Sequence, residues 1–162
     1  MFLNIHLRKM VKKIYLSILI ISILALISAY FIEYFLGYQP CNLCLLERIP
    51  YALSIIIILA NFKFKFNDKS ILLVLIIIFV VSALLSIYHF GIEQGLIEES
   101  FVCSTKDNLN LNKEQLLQEL QKMNISCKNV AFTIFGLSLT TYNILLSVII
   151  SATLIKIYAK QK

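Results

Sequence analysis

Four long apolar runs set the terms for this chain, because a run of that length leaves few ways to satisfy its backbone. Residues 14–36 are apolar apart from small serines, tyrosine and Glu33, and further runs cover about 43–62, 71–90 and 135–158. About 20 such residues cross a ~30 Å hydrocarbon core as a helix. In lipid no water pairs with a stray N–H or C=O, so each run is expected to close its hydrogen bonds internally. A signal peptide also begins basic and turns apolar, but its apolar stretch is only ~7–15 residues. Residues 14–36 are therefore read as a first span. Hydrophobic residues make up 59% of the 162 and charged residues 15%, with a mean hydropathy of +0.84. A soluble chain lies nearer ~45–50% apolar and ~25% charged. The expected fold is all-α, an integral membrane antiparallel four-helix bundle forming one domain over 1–162, with one long outer loop at about 91–131.

The lysines orient this bundle. Ten of the fifteen basic residues fall in three clusters: Arg8, Lys9, Lys12 and Lys13; Lys63, Lys65 and Lys69; Lys156, Lys160 and Lys162. Only Asp68 of the nine acids lies among them. Positive loops stay cytoplasmic, and four spans return both ends to one side, so the three clusters agree. The short loop 37–40 and the loop 91–131 then face outward, and all four cysteines with them. The net charge of +6 is accounted for by orientation, and no basic-aromatic stripe suggests nucleic acid. Within the outer loop, Asn112 to Met123 reads as a short amphipathic helix. Asn112 is its N-cap, Gln115 completes a capping box, and Leu116, Leu117, Leu120 and Met123 form a stripe suited to the interface plane or the bundle top.

Pro40-Cys41-Asn42-Leu43-Cys44 opens the second span, and Arg48 follows Cys44 by four positions. Asn42 is the expected N-cap, which leaves the Cys44 amide among the unpaired donors of the first turn. A helix N-terminus stabilises a thiolate, and C-x-x-C cysteines can fall well below the free value of ~8.5. On a helix Arg48 shares the face of Cys44. A charge inside an apolar span is read as functional. The competing readings are half a zinc site, a structural disulfide or inert thiols. Structural zinc wants four converging ligands, so no metal is expected.

Cys103 and Cys127 form a second pair, either a static staple worth about 3 kcal/mol or a labile, exchanging disulfide. The neighbouring C-x-x-C favours exchange. His89 ends the third span at the same outer boundary, as an interfacial hydrogen-bonding group or as part of the site. Glu47 points about 100° from Arg48 on a helix. Glu33 either partners Arg48 or reaches the interface. Pro50 is expected to bend the second span and free the Leu46 carbonyl.

Cys-Asn-Leu-Cys-Leu-Leu-Glu-Arg at 41–48 resembles the Cys-x-x-Cys-x-x-Glu/Gln-Arg motif of the DsbB disulfide-bond-formation family. The resemblance extends to the four spans, to Tyr88-His89-Phe90-Gly91-Ile92-Glu93-Gln94-Gly95, to the two loop cysteines and to Phe135-Gly136-Leu137-Ser138. The chain departs in lacking tryptophan and in carrying Lys128-Asn129 where relatives often have an acid, differences that bear on partner docking. What the resemblance implies is a protein dithiol:quinone oxidoreductase of the bacterial inner membrane, acting as a monomer. It would reoxidise a soluble DsbA-type thiol oxidase through a Cys103–Cys127 disulfide, with Cys103 forming the mixed disulfide. Electrons would pass to a Cys41–Cys44 disulfide and leave from Cys44 to ubiquinone or menaquinone. Arg48, with His89 and Glu47, would line the quinone site. The contrasting expectation is a membrane scaffold or small transporter whose disulfides are static.

Overall fold

The computed structural model describes residues 2–64, 66–98, 103, 127–128 and 132–160, with side chains from Met10 onward. Helix α1 covers Phe2–Tyr34, α2 Asn42–Leu46, α3 Ile49–Phe64, α4 Asp68–Glu93 and α5 Leu139–Lys160. A hairpin of β1 (Thr133–Ile134) and β2 (Leu137–Ser138) precedes α5. Among the described residues, four segments are long and apolar enough to cross a membrane: Met10–Tyr34, Asn42–Phe64, Asp68–Glu93 and Leu139–Lys160. The chain is therefore a mostly helical four-span bundle with a small hairpin, rather than all-α. The helix expected over 112–123 lies outside the described residues.

The bundle is apolar outside and partly polar inside. Leu24, Ile27, Ile56, Leu84 and Ile149 are each more than half exposed, whereas Ser22, Ser54, Ser82, Ser86, Asn143 and Ser147 are buried. Lipid tails are as apolar as leucine, so burying leucine gives helices little reason to associate; small residues and interhelical hydrogen bonds do. Ser22 meets Ser54 at 2.9 Å to join α1 to α3, and Ser82 meets Ser147 at 3.0 Å to join α4 to α5. These are the pairings through which α1 and α5 chiefly pack. The apolar core, with Val11, Ile58, Leu72, Phe79 and Leu154, fills the half of the bundle that carries the lysine turn. The cysteines, Leu43 and Ile92 cluster at the opposite end.

A break at the point expected from Pro50, and a departure from the expected fourth span, shape that end. The second span is broken at Glu47–Arg48. The Arg48 amide reaches back only to the Leu45 carbonyl at 3.2 Å, and Pro50 has no N–H for the Leu46 carbonyl. Pro50 itself sits in the first turn of α3, where proline is tolerated. The fourth span begins at Leu139 rather than at 135. Phe135 (φ 50°) and Gly136 (φ 79°) form a two-residue turn with both residues left-handed, as a tight hairpin requires. The hairpin is tied to α5 by the Tyr142 hydroxyl, which donates to the Ile134 carbonyl at 3.1 Å.

Candidate redox site

Cys41, not Asn42, caps α2. Its Sγ accepts the Cys44 amide at 3.2 Å, and its backbone is extended (φ −71°, ψ 166°). Either residue can cap, and the choice moves the helix-end stabilisation from Cys44 to Cys41. Cys41 is buried and Cys44 half-buried, and neither is bridged. Hydrogen bonding from the Cys44 thiol, from His89 and from the Cys44 amide outweighs burial and holds the Cys41 thiol well below the ordinary thiol range.

His89 lies across from Cys41 on α4, 2% exposed, with Nε2 at 3.5 Å from Cys41 Sγ. Its Nδ1 lies 2.9 Å from Glu47 Oε1. The break after Leu46 turns Glu47 inward to His89 while Arg48 turns to α1. Glu47 Oε2 accepts the Asn143 amide at 3.0 Å, and the same amide donates to Ser86 Oγ at 2.7 Å. Asn143 Oδ1 accepts from the Tyr51 hydroxyl. A second buried carboxylate, Glu93, stands 3.9 Å from His89 Nε2 with its side chain only 6% exposed. Glu93 accepts the Thr140 hydroxyl at 2.6 Å and the Ser138 hydroxyl at 2.7 Å. Of these residues, Asn143, Ser86 and Thr140 are not marked by the sequence, and Glu93 and Ser138 enter there only within the segments that resemble the family.

Cys103 and Cys127 are joined as a disulfide, both buried. Cys41 Sγ, a His89 ring nitrogen and Cys127 Sγ all lie within 4.8 Å of one another. A stabilised thiolate beside a disulfide sulfur is the geometry of thiol–disulfide exchange. The same three residues are close enough to share a metal ion, but a bridged sulfur offers no thiolate until Cys103–Cys127 is reduced.

Cys41, Cys44, Glu47, Arg48, His89, Glu93 and Cys127 share one cavity of about 310 Å³, walled on its apolar side by Ala25, Ala29, Ile32 and Leu146. That volume lies at the low end of the ~300–1,000 Å³ of small-molecule sites. Arg48 donates to Glu33 of α1, and its guanidinium lies 5.0 Å from the Tyr30 ring centroid. Glu33 thus partners Arg48 instead of reaching the interface. An ion pair here meets the cost of placing a charge in an apolar span.

The chain matches the family described as disulfide bond formation protein DsbB over residues 11–157. It is also similar to an uncharacterised protein of Rickettsia prowazekii (strain Madrid E), 36% identical over 140 residues, covering 85% of this chain and 81% of that protein. No solved structure matches it.

Proposed function

Because the chain belongs to the DsbB family of disulfide bond formation proteins, redox enzymes acting through cysteine pairs, we propose that it carries electrons from a soluble DsbA-type thiol oxidase to a membrane quinone. The observation that carries this reading is the placement of Cys41 Sγ within 4.8 Å of Cys127 Sγ, on a cavity that also holds Cys44 and Arg48. The lysine clusters support both termini in the cytoplasm and the cysteines at the outer face.

The exchange steps follow from which sulfurs are in reach. A thiolate of the reduced partner attacks Cys103, the Cys103–Cys127 bond breaks, and Cys127 leaves as a thiolate. Cys127 attacks Cys41 of the oxidised C-x-x-C pair, and Cys44 leaves with the electron pair. The partner's second thiolate closes its own disulfide and releases Cys103, which attacks Cys127 and expels Cys41. Two electrons now rest on Cys41 and Cys44, and the loop disulfide is restored. That is the bonding pattern of the structure, with Cys103–Cys127 bridged and Cys41 and Cys44 free.

A lowered thiol pKa makes Cys41 the better leaving group in the last exchange. It also stabilises the reduced pair and so raises its potential, the direction needed to oxidise a DsbA-type partner at about −120 mV. Arg48, His89, Glu47 and the apolar wall from α1 and α5 are the residues that would hold a quinone. A quinone held there supplies a two-electron, two-proton acceptor. Arg48 offers positive charge where negative charge develops, and the apolar wall excludes water.

Purified protein mixed with quinone and a reduced DsbA-type partner should lose quinone absorbance with turnover. Thiol trapping in cells lacking quinone separates this reading from a scaffold with static disulfides. A relay accumulates reduced cysteines there, whereas static bridges stay oxidised.

A further inference from the structure

Two buried carboxylates flank His89, and their hydrogen-bond partners differ in kind. Glu47 Oε1 is paired with His89 Nδ1, and its Oε2 accepts from the Asn143 amide, whose Nδ2 is a donor with no acceptor capacity. A proton on Glu47 Oε2 would face a donor it cannot bond. Glu93 accepts from two hydroxyls, Thr140 and Ser138, and a hydroxyl can rotate to accept instead of donate. Glu93 can therefore gain or lose a proton without leaving any partner unpaired. Thr140 Oγ1 also lies 3.3 Å from His89 Nδ1, so it bridges the imidazole to Glu93. On the far side Ser138 Oγ meets Thr141 Oγ1 at 3.1 Å, extending the hydroxyl chain to a partly exposed position at the start of α5.

We propose that Glu93 holds the proton displaced from Cys41 when the Cys41–Cys44 pair is reduced, and gives it up when the pair is reoxidised. The inference rests on the redox reading above. The balance is simple: the disulfide takes two electrons and two protons, one proton stays on the Cys44 thiol, and the other passes from the Cys41 thiol through His89 to Glu93, leaving Cys41 as the thiolate. Reoxidation by the quinone acceptor returns two electrons and two protons, the second drawn from Glu93. The residue lines the same cavity as Cys44 and Arg48, so the stored proton lies beside the place of its use. The titratable neighbours are His89 on α4, with Glu47 and Cys41 of the second span beyond it, and the hairpin and α5 face Glu93 with the Ser138 and Thr140 hydroxyls.

The test is infrared difference spectroscopy of the full chain, reduced minus oxidised by a chemical dithiol, with no quinone present. Wild type should gain a protonated-carboxyl C=O band on reduction, and Glu93→Gln should lose it. Glu93→Asp should restore the band at a displaced frequency. No band in wild type, or a band that survives in Glu93→Gln, overturns the assignment. Formation of the Cys103–Cys127 disulfide in each variant reports that it folds. With quinone and reduced partner, Glu93→Gln should slow turnover by about 10²-fold, the low end of general acid–base contributions, with Glu93→Asp recovering part of it. Turnover at the wild-type rate and with the wild-type pH profile would equally overturn the proposal. Wild-type turnover itself tests the redox reading, and the infrared result does not depend on it.

Discussion

Replacing His89 with alanine should raise the pH at which Cys41 becomes a thiolate. His89 Nε2 at 3.5 Å is the second of three hydrogen-bond contributions that lower the Cys41 thiol, after the Cys44 thiol and ahead of the Cys44 amide. A hydrogen bond to a charged group is worth about 1.5–3 kcal/mol. At 1.36 kcal/mol per pH unit that corresponds to about 1–2 units. Water entering the vacated space restores some solvation, so the lower end applies: about one unit, or a tenfold change in thiolate fraction. The Cys44 thiol and amide still act, so Cys41 should remain below an unperturbed thiol. The assay is the alkylation rate of Cys41 against pH, resolved from Cys44 by peptide mass spectrometry, with Cys103–Cys127 kept oxidised. Only the thiolate reacts. Wild-type reactivity should persist below the ordinary thiol range and fall as pH falls through the lowered value. The His89→Ala profile should be displaced upward. At a pH below both midpoints the variant should react about tenfold more slowly. Superposed profiles, or a downward displacement, would mean that His89 does not stabilise the Cys41 thiolate.

Other expectations follow from the same geometry. Asn143→Ala should cost about 2–4 kcal/mol, since it strips partners from Glu47, Tyr51 and Ser86 at once; thermal unfolding in detergent checks it, and an unchanged midpoint would contradict it. Arg48→Ala should raise the quinone KM by about tenfold or more, the loss of one charged hydrogen bond, and unaltered kinetics would remove Arg48 from the site. Gly91→Ala should cost about 1 kcal/mol. Its Cβ would meet Ile97 Cδ1 at 2.7 Å, but that is the end of a flexible side chain and can move. The same unfolding measurement decides it, a loss of several kcal/mol being the contrary result.

Much of the architecture is readable because membrane length and lysine placement are one-dimensional signals. The C-x-x-C pair and Arg48 are equally plain, since each is costly or unusual where it stands. The polar interior was harder to see. Asn143, Ser147 and Ser151 recur every four residues along α5, as do Ser82 and Ser86 on α4, and all five are buried. A search for small polar residues at that spacing would have marked the inner faces, because helices in lipid meet through them. The capping residue escaped because Cys41 and Asn42 are adjacent and either can cap. Phe135 read as the start of a span because it is apolar; only the Gly136 turn shows otherwise. Which carboxylate meets Arg48 depends on how α1 packs on the second span, and no local pattern encodes that.

On the proposed path, electrons enter at Cys103–Cys127 and leave from Cys44. The most direct measurement follows quinone absorbance in the presence of reduced DsbA-type partner for wild type and Cys44→Ser. Wild type should reduce quinone steadily and Cys44→Ser not at all, although that variant should still form a mixed disulfide with the partner through Cys103. Quinone reduction by Cys44→Ser at the wild-type rate would contradict that path.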